Sequence, residues 1–353
     1  MTPRLLRAAI GALLAAFALA PVLLSHDVYS YVDYARLGVV HGLNPYVHPP
    51  AAAPFDPAYA RVTWIDARSA YGPLFTLATY PLAWLPVWLA VAVLKATAAL
   101  SVLGTAILIA RIAPVRGVSP LGAAAFVALN PLVLIHVVGG AHNDGLAMLL
   151  STIGIAAMLS SREASAGAAF IAAFAVKGPA AIAAPFALVS TARIRVSPHQ
   201  RGVNVGYAQG RTSRFLLGSA AAALAFGMAA YAAFGWHWLH GIELAGNHQQ
   251  KTSHLSVPTT VARITGLDPA AVRAAALTLF AATFIYLLAW TWRGNDWLRA
   301  AAWASFALLI ATAWLLPWYL IWALPLVALS RDRPLQLLTL ALTAYQLPAR
   351  MPL

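Results

Sequence analysis

The 353-residue sequence is 61% apolar and 9% charged, with a mean hydropathy of +0.74; this excludes an ordinary soluble domain and predicts an all-α, polytopic membrane protein. Its formal net charge of +13 is scattered between apolar runs rather than gathered on one face, so it reads as membrane topology and not as nucleic-acid binding. With no cysteine, disulfides, thiolate metal sites and cysteine nucleophiles are excluded, which leaves the chemistry to Asp, His, Asn, Tyr, Lys and Arg.

In chain order, the first span is expected over about Leu5 to Leu24. Arg4 and Arg7 in front and Ala18-Leu19-Ala20 behind give it the look of a signal peptide, but Pro21 and the many later spans favour an anchor that delivers Ser25 onwards to the outside. Residues 25–73 then form a long outer loop rich in Tyr, Pro and His, and a loop of that length is usually functional. Spans follow over about Val87 to Ala110 going in, Pro120 to Val138 coming out and Gly145 to Ser160 going in. Arg111, Arg116 and Arg162 mark the cytoplasmic side.

The segment Ala164 to Val189 must begin and end inside, and Lys177-Gly178-Pro179 at its centre breaks a helix, so two short helices are expected to meet at an outward tip carrying Lys177. A basic cytoplasmic loop, residues 191–214, carries Arg193, Arg195, Arg201, Arg211 and Arg214. A span near Phe215 to Phe234 leads to a second outer loop, residues 235–268, with Glu243, His248, Lys251, His254 and Arg263. Spans over Ala270 to Trp290 and Trp297 to Leu316 precede a turn at Pro317-Trp318-Tyr319; Leu320 to Leu329 then descends to Arg331 and Arg333, and Leu335 to Leu347 is short for a crossing. No period of roughly 20 to 50 residues recurs. The whole, residues 1–353, reads as one bundle of about nine to eleven helices, some short or broken, in the inner membrane.

Charges beside apolar helices are costly and so point to function. Asp27, in Ser25-His26-Asp27-Val28-Tyr29-Ser30-Tyr31, is read either as a helix-end acid or as a general base taking a proton from a sugar hydroxyl. His142-Asn143-Asp144, behind Gly139-Gly140, either caps the following helix or contacts substrate where backbone can approach closely. Lys177 either snorkels to interfacial water or meets a phosphate, with Arg36, Lys251 and Arg263 as alternative partners from the outer loops. His248 lies in the same outer-loop group. Asn44-Pro45-Tyr46, Tyr71-Gly72-Pro73 and Pro317-Trp318-Tyr319 punctuate the outer face, where an aromatic belt and sugar stacking are the two readings. Asp27, Asp144, His26 and His142 are of types that suit Mn or Mg, yet no ligand pair at helical spacing is present, so no metal or other cofactor is expected.

Taken in order, Asp27-Val28-Tyr29-Ser30-Tyr31, Gly42-Leu43-Asn44-Pro45-Tyr46, Tyr71-Gly72-Pro73-Leu74-Phe75, Asn130-Pro131-Leu132-Val133-Leu134 and Gly139-Gly140-Ala141-His142-Asn143-Asp144 resemble the motifs of polyprenol-phosphate-mannose-dependent α-1,6-mannosyltransferases, a group of GT-C integral-membrane glycosyltransferases. Lys177-Gly178-Pro179 and Ser256-Val257-Pro258-Thr259-Thr260 are similar to further features of that group. The chain departs from it in being shorter and in having Asn44 where Asp is common. The resemblance implies inverting transfer of a hexose, mannose above all, from a polyprenyl-phosphate donor to a glycan or glycolipid on the extracytoplasmic face. Asp27 is then the expected base, with Asp144, Asn143 and His142 orienting substrate. A transporter or flippase of lipid-linked sugars is the alternative from another class; such proteins often show mirrored repeats and breaks, of which the sequence displays a single break.

Overall fold

A computed structural model of the protein describes residues 2–192, 201–247 and 251–349. Fifteen α-helices make it up: α1 (Pro3–Leu19), α2 (Asp27–Val39), α3 (Pro73–Thr79), α4 (Val87–Ile112), α5 (Pro120–Ala128), α6 (Asp144–Leu159), α7 (Glu163–Val176), α8 (Ala184–Thr191), α9 (Arg201–Phe234), α10 (Leu239–Asn247), α11 (Val257–Thr265), α12 (Pro269–Trp292), α13 (Trp297–Ala311), α14 (Leu324–Leu329) and α15 (Arg333–Gln346). Among the described residues there is no strand, so the all-α membrane class stands.

There are more helices than the nine to eleven expected because runs that look like single spans are broken. Pro120 to Val138 becomes α5 and a π-helical turn, Val133–Val138, joined at Asn130-Pro131. Asn130 fixes that joint: its Oδ1 accepts from the Leu132 N–H at 3.0 Å and its Nδ2 donates to Thr343 Oγ1 at 3.0 Å. Among the described residues, three helices are long and apolar enough to cross a membrane: Val87–Arg116, Gln209–Gly241 and Pro269–Trp292. The expected span over Leu5 to Leu24 is shorter than that, since α1 stops at Leu19 ahead of Pro21 and Leu24 turns the chain with φ +61°. Asp27 therefore does not continue the first span but opens a separate, largely buried helix. In α12, only 6% of the apolar window is buried within the protein, the pattern of a helix solvated by lipid.

The basic loop is also shorter than expected. Arg201, Arg211 and Arg214 lie on α9, a helix that runs without proline into the apolar span, whereas Arg193 and Arg195 fall outside the described residues. The second outer loop is partly helical, with α11 capped by the Ser256 hydroxyl and ended by Gly266 at φ +70°.

Two ends of the bundle differ in character. Helices α4 and α6 run in the same direction and pack directly on each other, since Gly145 lies against Ala98 and Gly104 against Leu149, while α5, between them in sequence, packs on α4. At the end where both finish, Glu163 pairs with Arg211 at 2.7 Å and Arg214 at 3.4 Å, Arg116 with Asp296, and Arg299 with Asp332 at 2.8 Å. The arms of the 163–191 segment both meet α9 at that end, through Glu163–Arg211 and through Thr191 Oγ1 to Thr212 Oγ1 at 3.2 Å. Lys177 is thus the tip of a broken segment, roughly 20 Å of helix from Glu163. The carboxylates Asp27 and Asp144 sit at that tip.

Candidate active site

Asp27 is the first residue of α2, where exposed helical N–H groups favour a carboxylate. Its backbone N–H donates to the Ser25 hydroxyl at 3.3 Å, and its Oδ1 accepts the indole N–H of Trp64 at 3.2 Å. Its Oδ2 lies 3.8 Å from His142 Nδ1, beyond hydrogen-bond reach. Burial pushes the Asp27 carboxyl above its ordinary range; the Lys177 charge and the Trp64 and Ser25 hydrogen bonds pull it down, and Asp144 adds to the push.

Asp144 opens α6 after a turn in which Ala141 has φ +57°. It is fully buried, with Oδ1 accepting from the Trp322 indole at 2.7 Å and Oδ2 accepting from Lys177 Nζ at 2.8 Å. The same ammonium stands over the rings of Tyr319, 5.2 Å away, and Trp322, 5.9 Å away. Lys177 can reach Asp144 because α7 ends there: its backbone is extended and Pro179 forbids another helical turn. Behind the turn, Lys95 of α4 donates to Pro21 O at 3.1 Å and Gly139 O at 2.9 Å, tying the end of the first segment to the loop that carries His142 and Asp144.

Asp27 and Lys177 face a cavity of about 480 Å³, within the usual size for a small-ligand site. Asp27, Trp64, Arg68, Tyr71, Lys177, Lys251, Trp318 and Tyr319 line it. Lys251 lies over the Trp64 ring at 5.0 Å and the Trp314 ring at 5.7 Å. His142 forms the next layer, stacked on Trp318 with ring centroids 3.8 Å apart, and neither of its ring nitrogens has a hydrogen-bond partner among the described residues. The Asn143 side-chain amide and the Tyr31 hydroxyl are likewise buried and unpartnered. Gly72 explains the Tyr71-Gly72-Pro73 motif: its N–H donates to Val176 O at 3.2 Å, and a Cβ there would collide with the Ala175 carbonyl.

Other expected site residues lie away from the cavity lining. Arg36 binds Asp56 at 2.8 and 2.9 Å and the Ala83 carbonyl at 2.8 Å, so its guanidinium braces the loop. Asn44 donates to Phe234 O at 2.8 Å, and the buried Tyr46 hydroxyl donates to Tyr71 O at 2.8 Å; both support the wall from behind. His26 directly precedes α2 without a capping side-chain hydrogen bond and packs edge-on against Tyr29. Arg263 contacts His254 on the exterior. His248 lies outside the described residues. Farther along α2, Asp33 is buried with neither carboxylate oxygen partnered, and burial together with the Asp56 charge pushes it up to about 7, against the pull of His41 and Arg36.

Sequence reasoning missed Trp64, Trp322, Arg68 and Lys95. Lys95 carried a signal, a lone cation inside a long apolar run. The tryptophans carried none that sets them apart from an interfacial belt. Among the described residues, no three His, Asp or Glu side chains gather where a metal ion could be held.

The chain is similar to two curated proteins named alpha-(1->6)-mannopyranosyltransferase A. The one from Mycobacterium tuberculosis is 30% identical over 346 residues, covering 88% of this chain and 63% of that protein. The one from Corynebacterium glutamicum is 27% identical over 265 residues, covering 69% of this chain and 51% of that protein. The chain therefore spans between half and two thirds of the length of these relatives. No solved structure matches it. Residues 1–193, which include Asp27, Trp64, Asp144 and Lys177, match the family described as alpha-(1->6)-mannopyranosyltransferase, N-terminal domain, and the chain belongs to that family.

Proposed function

We propose that the protein is an α-1,6-mannosyltransferase that takes mannose from a polyprenyl-phosphate donor and adds it, with inversion, to a glycan or glycolipid. Asp27 accepts the proton of the attacking hydroxyl as the new oxygen–carbon bond forms at the anomeric carbon. The anomeric carbon–oxygen bond to phosphate breaks, and its electron pair leaves with the phosphate oxygen. That leaving group is already anionic, so cations at the cavity, Lys177 and Lys251, stabilise its growing charge without a separate acid. Tyr71, Trp318 and Tyr319 offer ring faces and His142 and Asn143 offer buried polar groups to the sugars. Membership of a mannosyltransferase family favours this reading over transport.

The site faces the extracytoplasmic side in this reading. Its support is the division of charge: the Arg-rich ion pairs lie at the end of the bundle away from the cavity, and basic residues favour the cytoplasm. The bundle, including both outer loops, acts as one unit.

The observation that carries the proposal is Asp27 itself, a carboxylate on the cavity wall that has an indole donor but, among the described residues, no Lys or Arg in direct contact. The test is transfer of radiolabelled mannose from polyprenyl-phosphate-mannose into a membrane lipoglycan fraction. The wild type should transfer and a normally folded Asp27→Asn should not; equal transfer by both removes Asp27 from the role of base.

A further inference from the structure

Asp27, on the cavity wall, and Asp144, buried behind it, are each held by an indole N–H, from Trp64 and Trp322 respectively, and in each case a lysine lies over the indole ring. The two settings part at the lysine. Lys177 also bonds its carboxylate directly, whereas Lys251 lies over the ring faces of Trp64 and Trp314 and lines the cavity. Trp64 is firmly placed for such a job. The backbone that follows it is pinned by Ile65 O accepting from the Ala51 N–H at 2.9 Å and by Ala67 O accepting from the Tyr34 hydroxyl at 2.7 Å.

We propose that Trp64 is a positioning residue of the transfer site: its indole N–H fixes the Asp27 carboxylate, and its ring face carries Lys251, which binds the anionic phosphate of the donor. One side chain then sets the distance between the group that takes the proton and the cation beside the departing phosphate. Such preorganisation lets both act without rearranging as the reaction proceeds. The inference rests on Asp27 being the base.

The two halves of the role separate by substitution. Trp64→Phe keeps a ring under Lys251 and removes the donor; Trp64→Gln keeps an N–H donor and removes the ring. A hydrogen bond to a carboxylate favours its charged form, so losing it raises the Asp27 pKa. The groups facing Asp27 are Lys177, Asp144, His142, Ser25 and the hydroxyls of Tyr31, Tyr34, Tyr71 and Tyr319, and neither variant alters them.

The experiment measures kcat/KM against pH for the full chain in membranes, with polyprenyl-phosphate-mannose as donor and Asp27→Asn alongside. Trp64→Phe should move the acid limb up by about one pH unit, the worth of one charge-assisted hydrogen bond. Its donor KM should stay near that of the wild type. Trp64→Gln should keep the acid limb and raise donor KM about threefold, the worth of an exposed cation–π contact. An unmoved acid limb in active Trp64→Phe overturns the proposal; if that variant does not fold, a shifted limb in Trp64→Gln does so. Activity in Asp27→Asn would instead sink the base assignment, whatever the Trp64 variants do.

Discussion

Asp27 and Asp144 occupy matched positions, each the first residue of a helix and each receiving one indole N–H, yet their surroundings divide the work between them. Asp144 is fully buried against an ammonium at 2.8 Å. Asp27 has no such partner, lines the cavity and is pushed upward by burial, so it can take up a proton. A carboxylate already neutralised by a cation organises structure; one left to an indole and a helix N-terminus keeps its basicity.

The sharpest way to break this contrast is to neutralise each acid in turn. Asp27→Asn should lower transfer by roughly 10²- to 10⁴-fold, the usual worth of a general base. It should leave thermal unfolding unchanged or slightly delayed, because the wild-type carboxylate is itself disfavoured by burial. Asp144→Asn should do the reverse: it strands the Lys177 charge, costing about 3 kcal/mol of stability in a denaturation experiment, with a smaller loss of turnover once folded. If Asp144→Asn were the catalytically dead and stable variant, the assigned roles would have to be exchanged.

Lys95→Met probes the scaffold common to both acids. It leaves the Pro21 and Gly139 carbonyls without their donor, and about 1–3 kcal/mol of stability should be lost. Turnover should fall for both readouts together, since both acid-bearing loops are released.

Asp33 extends the comparison to a carboxylate with neither an indole nor a directly bonded cation. Its folded value of about 7 stands above the ordinary 3.8, so the folded state holds a proton that the unfolded chain gives up first. Stability should therefore fall as pH rises from about 4 to about 7 and level off beyond. In Asp33→Asn that contribution should vanish, with the gain in melting temperature over wild type larger at pH 8 than at pH 4. A slope identical in both proteins would mean that Asp33 already has a partner, such as a bound water chain.

Much of the site was readable as punctuation. Asp27, Asp144 and Lys177 stand out because charge beside an apolar run is expensive, and Gly178-Pro179 dictates that α7 stops where Lys177 can turn inward. What could not be read was pairing. Asp144 and Lys177 are 33 residues apart, and only the packing of α6 on α7 brings them together. In sequence Arg36 is as available as Lys251; in the fold Asp56, 20 residues on, holds it. Trp64 and Trp322 were hidden for a different reason: interfacial tryptophans are common, and an indole N–H aimed at a carboxylate leaves no trace in composition or spacing. The helix boundaries erred where a proline cut an apolar run, as at Pro21 and Pro131, because hydropathy records solvent preference and not backbone continuity.

Lys95 has one further consequence. Its ammonium grips the carbonyls of Pro21 and Gly139 at once, six residues before Asp27 and five before Asp144. Helices in bilayers of different thickness tilt to match the hydrocarbon they find. With both loops moored to one point on α4, such tilting carries the two acids as a unit, so the spacing of the site is insulated from the membrane around it.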